Sequence, residues 1–541
     1  MGRFRCSSIA VLSGTWPPTY RTAPPAEKPR LSHPAAKREE TPDANSAVRD
    51  SKLTWVPLPS SFSVQQPPEA HSMSTAPIET RIEEKMRAAA VGEATIRTFL
   101  EAHRRVRCGE RGMIPEGEIA PITAPPALAT LPKPGDETVD LLRQLAVFKL
   151  NGGLGTGMGL DRTKSLIRVR DGDNFLDFIA RQILHLRGHT GGTAPRFVLM
   201  NSFTTREETL GFLGKYPALL QAGPIDFLQN KVPKILADSG EPVSWPADPE
   251  LEWCPPGHGD FYPSLLNSGL LDSLLAEGIR YAFISNSDNL GATVDARLLR
   301  YFADSGLSFL MEVAERTAAD RKGGHLARRK SSGRLLLRES AQCPKEDEDA
   351  FQDITRHQFF NTNNLWIRLD HLAEVLRQNG GTIPLPLITN AKTVDPRDAN
   401  SPKVLQLESA MGAAIECFEK SGAVVVPRER FSPVKATSDL LSLRSDAYEA
   451  TTDHRLVLAD SRHGRPPVVD LDGKHYKVVA SFESFFPDAP PSLLRCDSLK
   501  VVGPVRFAGG VVCEGKVTVR NGSAEVKTLA AGRYRDQEVE L

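Results

Sequence analysis

The chain has no Cys-x-x-Cys pair, no apolar run long enough to span a bilayer, and no excess of charge of either sign. Its seven cysteines, Cys6, Cys108, Cys254, Cys343, Cys417, Cys496 and Cys513, are odd in number and scattered over 541 residues. That pattern argues against a disulfide framework or a cysteine zinc site and suits a reducing compartment, so a cytoplasmic location is expected. With 67 basic and 67 acidic residues, nothing points to nucleic acid or an anionic membrane surface as a partner. The length allows two or three domains.

Two common phosphate-binding loops are also missing. A Walker A loop ends in Gly-Lys-Ser/Thr, but here Lys164-Ser165 follows Thr163. The dinucleotide pattern Gly-x-Gly-x-x-Gly fails as well: counted from Gly153 its last position is Met158, and counted from Gly155 it is Leu160. What stands there instead is a hydrophobic run, Leu145, Ala146, Val147, Phe148 and Leu150, followed by a loop holding Gly152, Gly153, Gly155, Gly157 and Gly159. A loop so rich in glycine lets backbone N–H groups approach an anion, and Lys164 adds a positive charge a few residues on. Strand, glycine loop and lysine are together what a nucleotide phosphate needs. The plain alternative is a flexible glycine turn.

From Leu145 onward, short apolar runs alternate with helical stretches. Phe197–Met200, Ile279–Ile284 and Leu307–Val313 are examples, and the alternation predicts an α/β domain with a mixed, mostly parallel sheet. Residues 79–105 read as helical, with Ile82, Met86, Ala89, Ala90, Ile96, Phe99 and Leu100 on one stripe. Near the C-terminus, Val501, Phe507, Cys513 and Val519 recur every six residues, as do Val505, Val511 and Val517. Gly503, Gly509 or Gly510, Gly515 and Gly522 fall between them. A six-residue period with glycine turns marks a parallel β-helix, with an ordinary antiparallel sheet as the alternative. Residues 1–72 are rich in Pro, Ser, Ala and Arg, show no periodicity and are expected to be disordered and dispensable for catalysis. An over-extended start before Met73 is the simpler reading; an organelle transit peptide is the alternative.

Leu150-Asn-Gly-Gly-Leu-Gly-Thr-Gly-Met-Gly, followed by Lys164-Ser165, resembles the motif of eukaryotic-type UTP–glucose-1-phosphate uridylyltransferases (UDP-glucose pyrophosphorylases). The resemblance continues in order at Pro255-Pro-Gly-His-Gly-Asp260, Ser285-Asn-Ser-Asp-Asn-Leu-Gly-Ala-Thr-Val-Asp295, Lys322-Gly-Gly324, Phe360-Asn-Thr-Asn-Asn-Leu-Trp366, Asn390-Ala-Lys392, Gln406-Leu-Glu408 and Pro433-Val-Lys-Ala-Thr-Ser-Asp439, and covers about residues 80–525. It implies a Rossmann-like nucleotidyltransferase domain and a C-terminal, left-handed parallel β-helix. The corresponding organisation is a helical segment at 73–110, a catalytic domain at 111–435 and a C-terminal domain at 436–541. UTP and glucose-1-phosphate are the implied substrates and Mg²⁺ the implied cofactor. A homo-oligomer is possible in this family, but its form does not carry over, because the chain is short after the β-helix.

Uridylyl transfer needs alignment and charge neutralisation, not a Ser-His-Asp triad. Asp288 ends an apolar strand, where ligands bind in open α/β sheets, and Mg²⁺ takes one or two carboxylates plus phosphate oxygens. Asp288 is therefore the expected metal ligand and nucleotide contact; the competing reading is the cap of the next helix. By resemblance, Lys164 and Lys435 stabilise charge in the transition state and touch the nucleotide. Leu150, Asn151, Gly152 and Gly153 cradle the base, ribose and phosphates, Gln229 reads uracil, and Gly257 faces the nucleotide. Gly153, His258, Asn286 and Asn363 are the expected contacts to the sugar phosphate.

The chain departs from the family pattern at Arg162-Thr163, where Gly-Pro is usual and proline would stiffen the approach to Lys164. It also has Ser287 in place of a larger apolar residue. The competing functions are a UDP-N-acetylhexosamine or broad UDP-sugar pyrophosphorylase and a non-catalytic protein of the same fold. The first typically carries Ala-Gly-Gly-Gln-Gly-Thr-Arg, where this chain has Asn151-Gly-Gly-Leu-Gly-Thr-Gly157. The second is disfavoured by the presence of Lys164, Asp288 and Lys435 together.

Overall fold

Seven of the ten strands in the central sheet position the site: β1 (Leu145–Asn151), β2 (Arg196–Asn201), β3 (Asp226–Leu228), β4 (Tyr281–Asn286), β5 (Phe309–Glu315), β6 (Phe359–Arg368) and β7 (Ser421–Val425). The computed structural model describes residues 77–541, so the expectations for residues 1–72 lie outside the described residues. The spatial order is β3-β2-β1-β4-β6-β5-β7. β3, β2, β1 and β4 pair in parallel, and so do β5 and β7. β6 runs antiparallel to β4 and β5. The fold is thus mixed α/β with a mostly parallel centre.

The apolar runs are continuous, not alternating, because both faces of the sheet are covered. Val147, Phe283 and Trp366 belong to a core on one face with Phe175, Ile179 and Phe302. Phe148, Ile284 and Leu365 belong to a core on the other with Phe261, Tyr262 and Met311. The crossover from β1 to β2 is the helix Phe175–Thr190, whose N-terminus is closed by a capping box between Asn174 and Asp177. The crossover from β4 to β5 is the helix Ala296–Ser305, capped by Asp295 through the N–H groups of Arg297 and Leu298.

The helical stretch expected over 79–105 is divided into two helices, Ile78–Ala88 and Glu93–Arg107. The break follows from packing. Ala90 takes a left-handed conformation (φ 56°), and a Cβ at Gly92 would lie 2.3 Å from the Asn267 side chain. Asn267 Oδ1 in turn accepts from the N–H of Ala94 and closes the second helix. The expected stripe survives in part: Ile82, Met86, Ile96, Phe99 and Leu100 pack on Val232, Ile235, Leu387 and Leu407, while Ala90 is exposed.

At the C-terminus, β8 (Val468–Leu471), β9 (Ser492–Val502), β11 (Val511–Arg520) and β13 (Gly532–Glu540) pair in parallel, with β10 (Val505–Phe507) parallel to β12 (Lys527–Leu529). These pairings overturn the antiparallel alternative. Both six-residue sets point inward: Val501, Phe507, Cys513, Val519, Val505, Val511 and Val517 are all buried. They share one apolar cluster with Val434, Leu440 and Tyr476, so the core is continuous across the expected boundary after residue 435.

One buried ion pair joins β5, β6 and the segment beyond β7. Arg430 donates to Glu312 through Nε at 2.7 Å and Nη2 at 2.8 Å, and Glu312 is fully buried. Trp366 Nε1 and Asn364 Nδ2 donate to the same carboxylate. Removing one partner leaves an uncompensated buried charge. Arg430→Met is expected to cost about 3–5 kcal/mol of stability by denaturant unfolding, and adding Glu312→Gln should recover part of it.

Candidate functional site

β1, β2 and β4 are parallel, so their carboxyl ends share one edge of the sheet. β1 leads into Gly152 and Gly153, and the loop folds back so that Lys164 N–H donates to the carbonyl of Gly153 at 3.2 Å. Leu154 and Thr163 form an antiparallel bridge. Thr163 replaces the usual proline but is itself locked: it is fully buried, and its N–H donates to Glu208 at 2.9 Å. Lys164 then reaches across to the end of β4, where its Nζ lies 2.5 Å from Asp288 Oδ2. The other oxygen of that carboxylate, Oδ1, is buried with no hydrogen-bond partner. Asp295, not Asp288, caps the following helix, so the cap reading of Asp288 falls. Ser287 is buried, and its N–H donates to the carbonyl of Leu150, which joins β4 to β1 next to Asp288.

Behind this edge sits a cation that sequence reasoning missed. Lys149 is buried, and its ammonium donates to Ser285 Oγ at 2.8 Å and to the carbonyl of Ala292 at 2.7 Å. Burial, with Arg430 nearby, pushes it down to about 7. A lysine inside an otherwise apolar strand was the available signal. The pair of bonds holds both ends of the segment that carries Asp288.

Gln229, expected to read uracil, and Gly257 are brought together beside Gly152. Gln229 Nε2 donates to the carbonyl of Gly257 at 3.1 Å, and a Cβ at Gly152 would lie 2.6 Å from Gln229 Oε1. The Asn151 side chain is committed elsewhere: it donates to Asn201 Oδ1 and Thr209 Oγ1 and accepts from Ser165 Oγ. The Asn151 side chain therefore braces the loop. Leu150 and Gly152 are half-buried and Gly153 is exposed.

Of the residues expected to contact the sugar phosphate, Asn286 and Asn363 are bonded to each other, and His258 is held separately by Met411. Met411 N–H donates to His258 Nδ1 at 2.8 Å, which leaves the proton on Nε2 as a free donor. Burial pushes His258 down to about 4, so the ring is neutral at pH 7. A histidine depressed below its unfolded value contributes stability that is complete above about pH 6.5 and lost as pH falls toward 4. Asn363 Nδ2 donates to Asn286 Oδ1 at 2.9 Å, while Asn363 Oδ1 is buried without a partner. Asn363 holds φ 60°, a conformation asparagine tolerates better than most residues.

Lys435 is brought close by its backbone, not by its side chain. Val434 N–H donates to the carbonyl of Asp288 at 3.2 Å, and Asn289 bridges Pro433. The Lys435 side chain is exposed, with Nζ 6.0 Å from the Phe431 ring centre. Its charge draws the buried Glu339 carboxyl downward, against the larger upward push of burial.

This arrangement of glycine loop, paired Lys164 and Asp288, and amide side chains at neighbouring strand ends suits a nucleotide and a phosphorylated sugar. The sequence profile described as UTP–glucose-1-phosphate uridylyltransferase matches residues 99–514. The chain belongs to this family. It is a nucleotidyltransferase that acts on UTP and glucose-1-phosphate. The potato (Solanum tuberosum) UTP–glucose-1-phosphate uridylyltransferase is 42% identical over 410 residues, 75% of this chain and 81% of the relative. The UDP-glucose pyrophosphorylase of Leishmania major, solved in open and closed forms, superposes with a TM-score of 0.81 at 49% identity, over 86% of this chain and 100% of that one. A UDP-glucose phosphorylase of Trypanosoma brucei gives 0.79 at 52% identity, over 86% and 99%.

Gly257 holds φ 79°, and a Cβ there would lie 2.4 Å from the carbonyl oxygen of Ser409. Neither strain nor clash can be relieved without moving the loop that carries His258. Gly257→Ala is expected to cut kcat/KM about a hundredfold, the usual cost of roughly 1 Å of misplacement, with the fold retained by circular dichroism.

Proposed function

We propose that the chain forms UDP-glucose and pyrophosphate reversibly, with Mg²⁺ at Asp288 and with Lys164 and Lys435 stabilising charge. The observation that carries this reading is Asp288 itself. One oxygen meets Lys164 and the other is buried without a partner. A free carboxylate oxygen at a strand end fits a hard cation that takes most of its remaining ligands from phosphate and water. Among the described residues no group of three or more His, Cys, Asp or Glu forms a cage, which suits a cation shared with substrate. When bound, Mg²⁺ supplies positive charge against the phosphate oxygens.

The residues of the chain orient the two substrates. Gln229 pairs with the uracil edge above Gly152, and Leu150, Gly153 and Gly257 line the nucleotide. Asn151 holds the loop that does this. His258 donates through Nε2, and Asn286 and Asn363 offer amide groups to the sugar hydroxyls. The glucose-1-phosphate oxygen attacks the α-phosphorus in line with the departing pyrophosphate. Lys164 and Lys435 offset charge as it builds, and Lys435 does so by swinging in from the exposed segment after Val434. In the same reading the C-terminal strands form a left-handed parallel β-helix, the enzyme works in the cytoplasm, and it can self-associate.

Turnover is expected to vanish in excess chelator and in Asp288→Ala, with glucose-1-phosphate preferred over other sugar-1-phosphates in a pyrophosphate-release assay. Full activity under chelation would remove the metal from the account. Lys435→Ala is expected to lower kcat about a hundredfold to a thousandfold, with a smaller change in UTP affinity. A raised UTP KM at unchanged kcat would instead assign Lys435 to ground-state binding.

A further inference from the structure

One carboxylate lies behind both the nucleobase and the sugar-phosphate loops. Asp260 is 2% exposed. Its Oδ2 accepts from the backbone N–H of Asn230 at 2.7 Å and from Ser264 Oγ at 2.6 Å. Asn230 Nδ2 reaches both oxygens, at 3.3 and 3.2 Å, and Thr95 Oγ1 donates to Oδ1 at 3.3 Å. All these contacts are neutral donors, and burial is the only influence opposing the charge. A carboxylate stripped of water and given no cation is costly, and a core needs none. The donors come from three separate elements: the helix Glu93–Arg107, the segment after β3, and the helix Phe261–Asn267.

The bonds close a ring through the site. Asn230 follows Gln229, Gln229 donates to Gly257, and Gly257 leads through His258 and Gly259 back to Asp260. Gly259 N–H is fixed in turn to the carbonyl of Ser409 at 2.9 Å. We propose that Asp260 is a positioning residue that sets Gln229 against the Gly257–Gly259 loop, and that Thr95 makes the N-terminal helix part of this device. The inference rests on the uridylyltransferase reading of the site. Asp260 does not touch substrate; it acts through the two loops.

Ionised Asp260 can accept from every donor around it, whereas the protonated acid places a fourth kind of donor among them. Burial pushes Asp260 up to about 6. The ring is therefore complete above that pH and disturbed as pH falls through it. Charged groups lining the cavity of about 480 Å³ beside it include Arg97, Glu101, Arg104, Arg105 and Glu408. His258, held near 4, stays neutral through this range. Lys149, near 7, is common to every variant compared.

The test is the Kd of UDP-glucose by calorimetry from pH 5.2 to 8, a range in which the ligand does not titrate. The native chain is expected to lose affinity as pH falls below about 6. Asp260→Asn is expected to bind at least about tenfold more weakly at pH 7.5, because its amide N–H faces other donors, and to lack that acid limb. Native affinity with the same limb in folded Asp260→Asn would overturn the proposal. If that variant does not fold, Thr95→Val decides: losing one donor should move the limb to higher pH, and an unmoved limb overturns the proposal. A native chain that binds no UDP-glucose at any pH would instead fail the underlying reaction reading, and this inference with it.

Discussion

The ion pair between Lys164 and Asp288 is the contact on which the site depends. It joins the glycine loop after β1 to the end of β4, two segments 124 residues apart in the chain. Each partner is held from behind. Thr163 and its bond to Glu208 fix the approach to Lys164. Lys149, through Ser285 and Ala292, fixes the segment around Asp288. Such support suits electrostatic catalysis, because a charge already in place costs no rearrangement as a phosphoryl-type transition state forms.

In the proposed reading the substrates are read by neutral groups. Gln229, Asn286, Asn363 and His258 carry no net charge at pH 7, so in that reading they fix orientation without competing with the phosphates for cations. The Met411 N–H sets the His258 tautomer, and the Asn363–Asn286 bond leaves Asn363 Oδ1 as the free acceptor. In the proposed reading the charged groups serve the phosphates: Lys164 pairs with Asp288, and the segment carrying Lys435 is tied to Asp288 by the Val434 backbone bond.

Much of this was legible in the sequence because the signals are local. A continuous apolar run ending at glycines fixed the place of β1, and a carboxylate just past a second run placed Asp288. Six-residue spacing of Val505, Val511 and Val517 gave the parallel C-terminal coil with its inward face. What could not be read depends on contacts far apart in the chain. The break at Ala90 follows from Asn267, and the tautomer of His258 from Met411. The bonds of the Asn151 side chain to Asn201 and Thr209, which brace the loop, are further such contacts. Lys435 shows the same limit: its motif is clear, but its backbone and not its ammonium is what lies beside Asp288.

A crystal structure with UDP-glucose bound is the most direct test of the account. The account predicts uracil against Gln229 and Gly152, the diphosphate between the Gly153 backbone and Lys164, and glucose contacting His258, Asn286 and Asn363. A nucleotide bound away from the crevice between β1 and β4, or a diphosphate with no contact to Lys164, would contradict it.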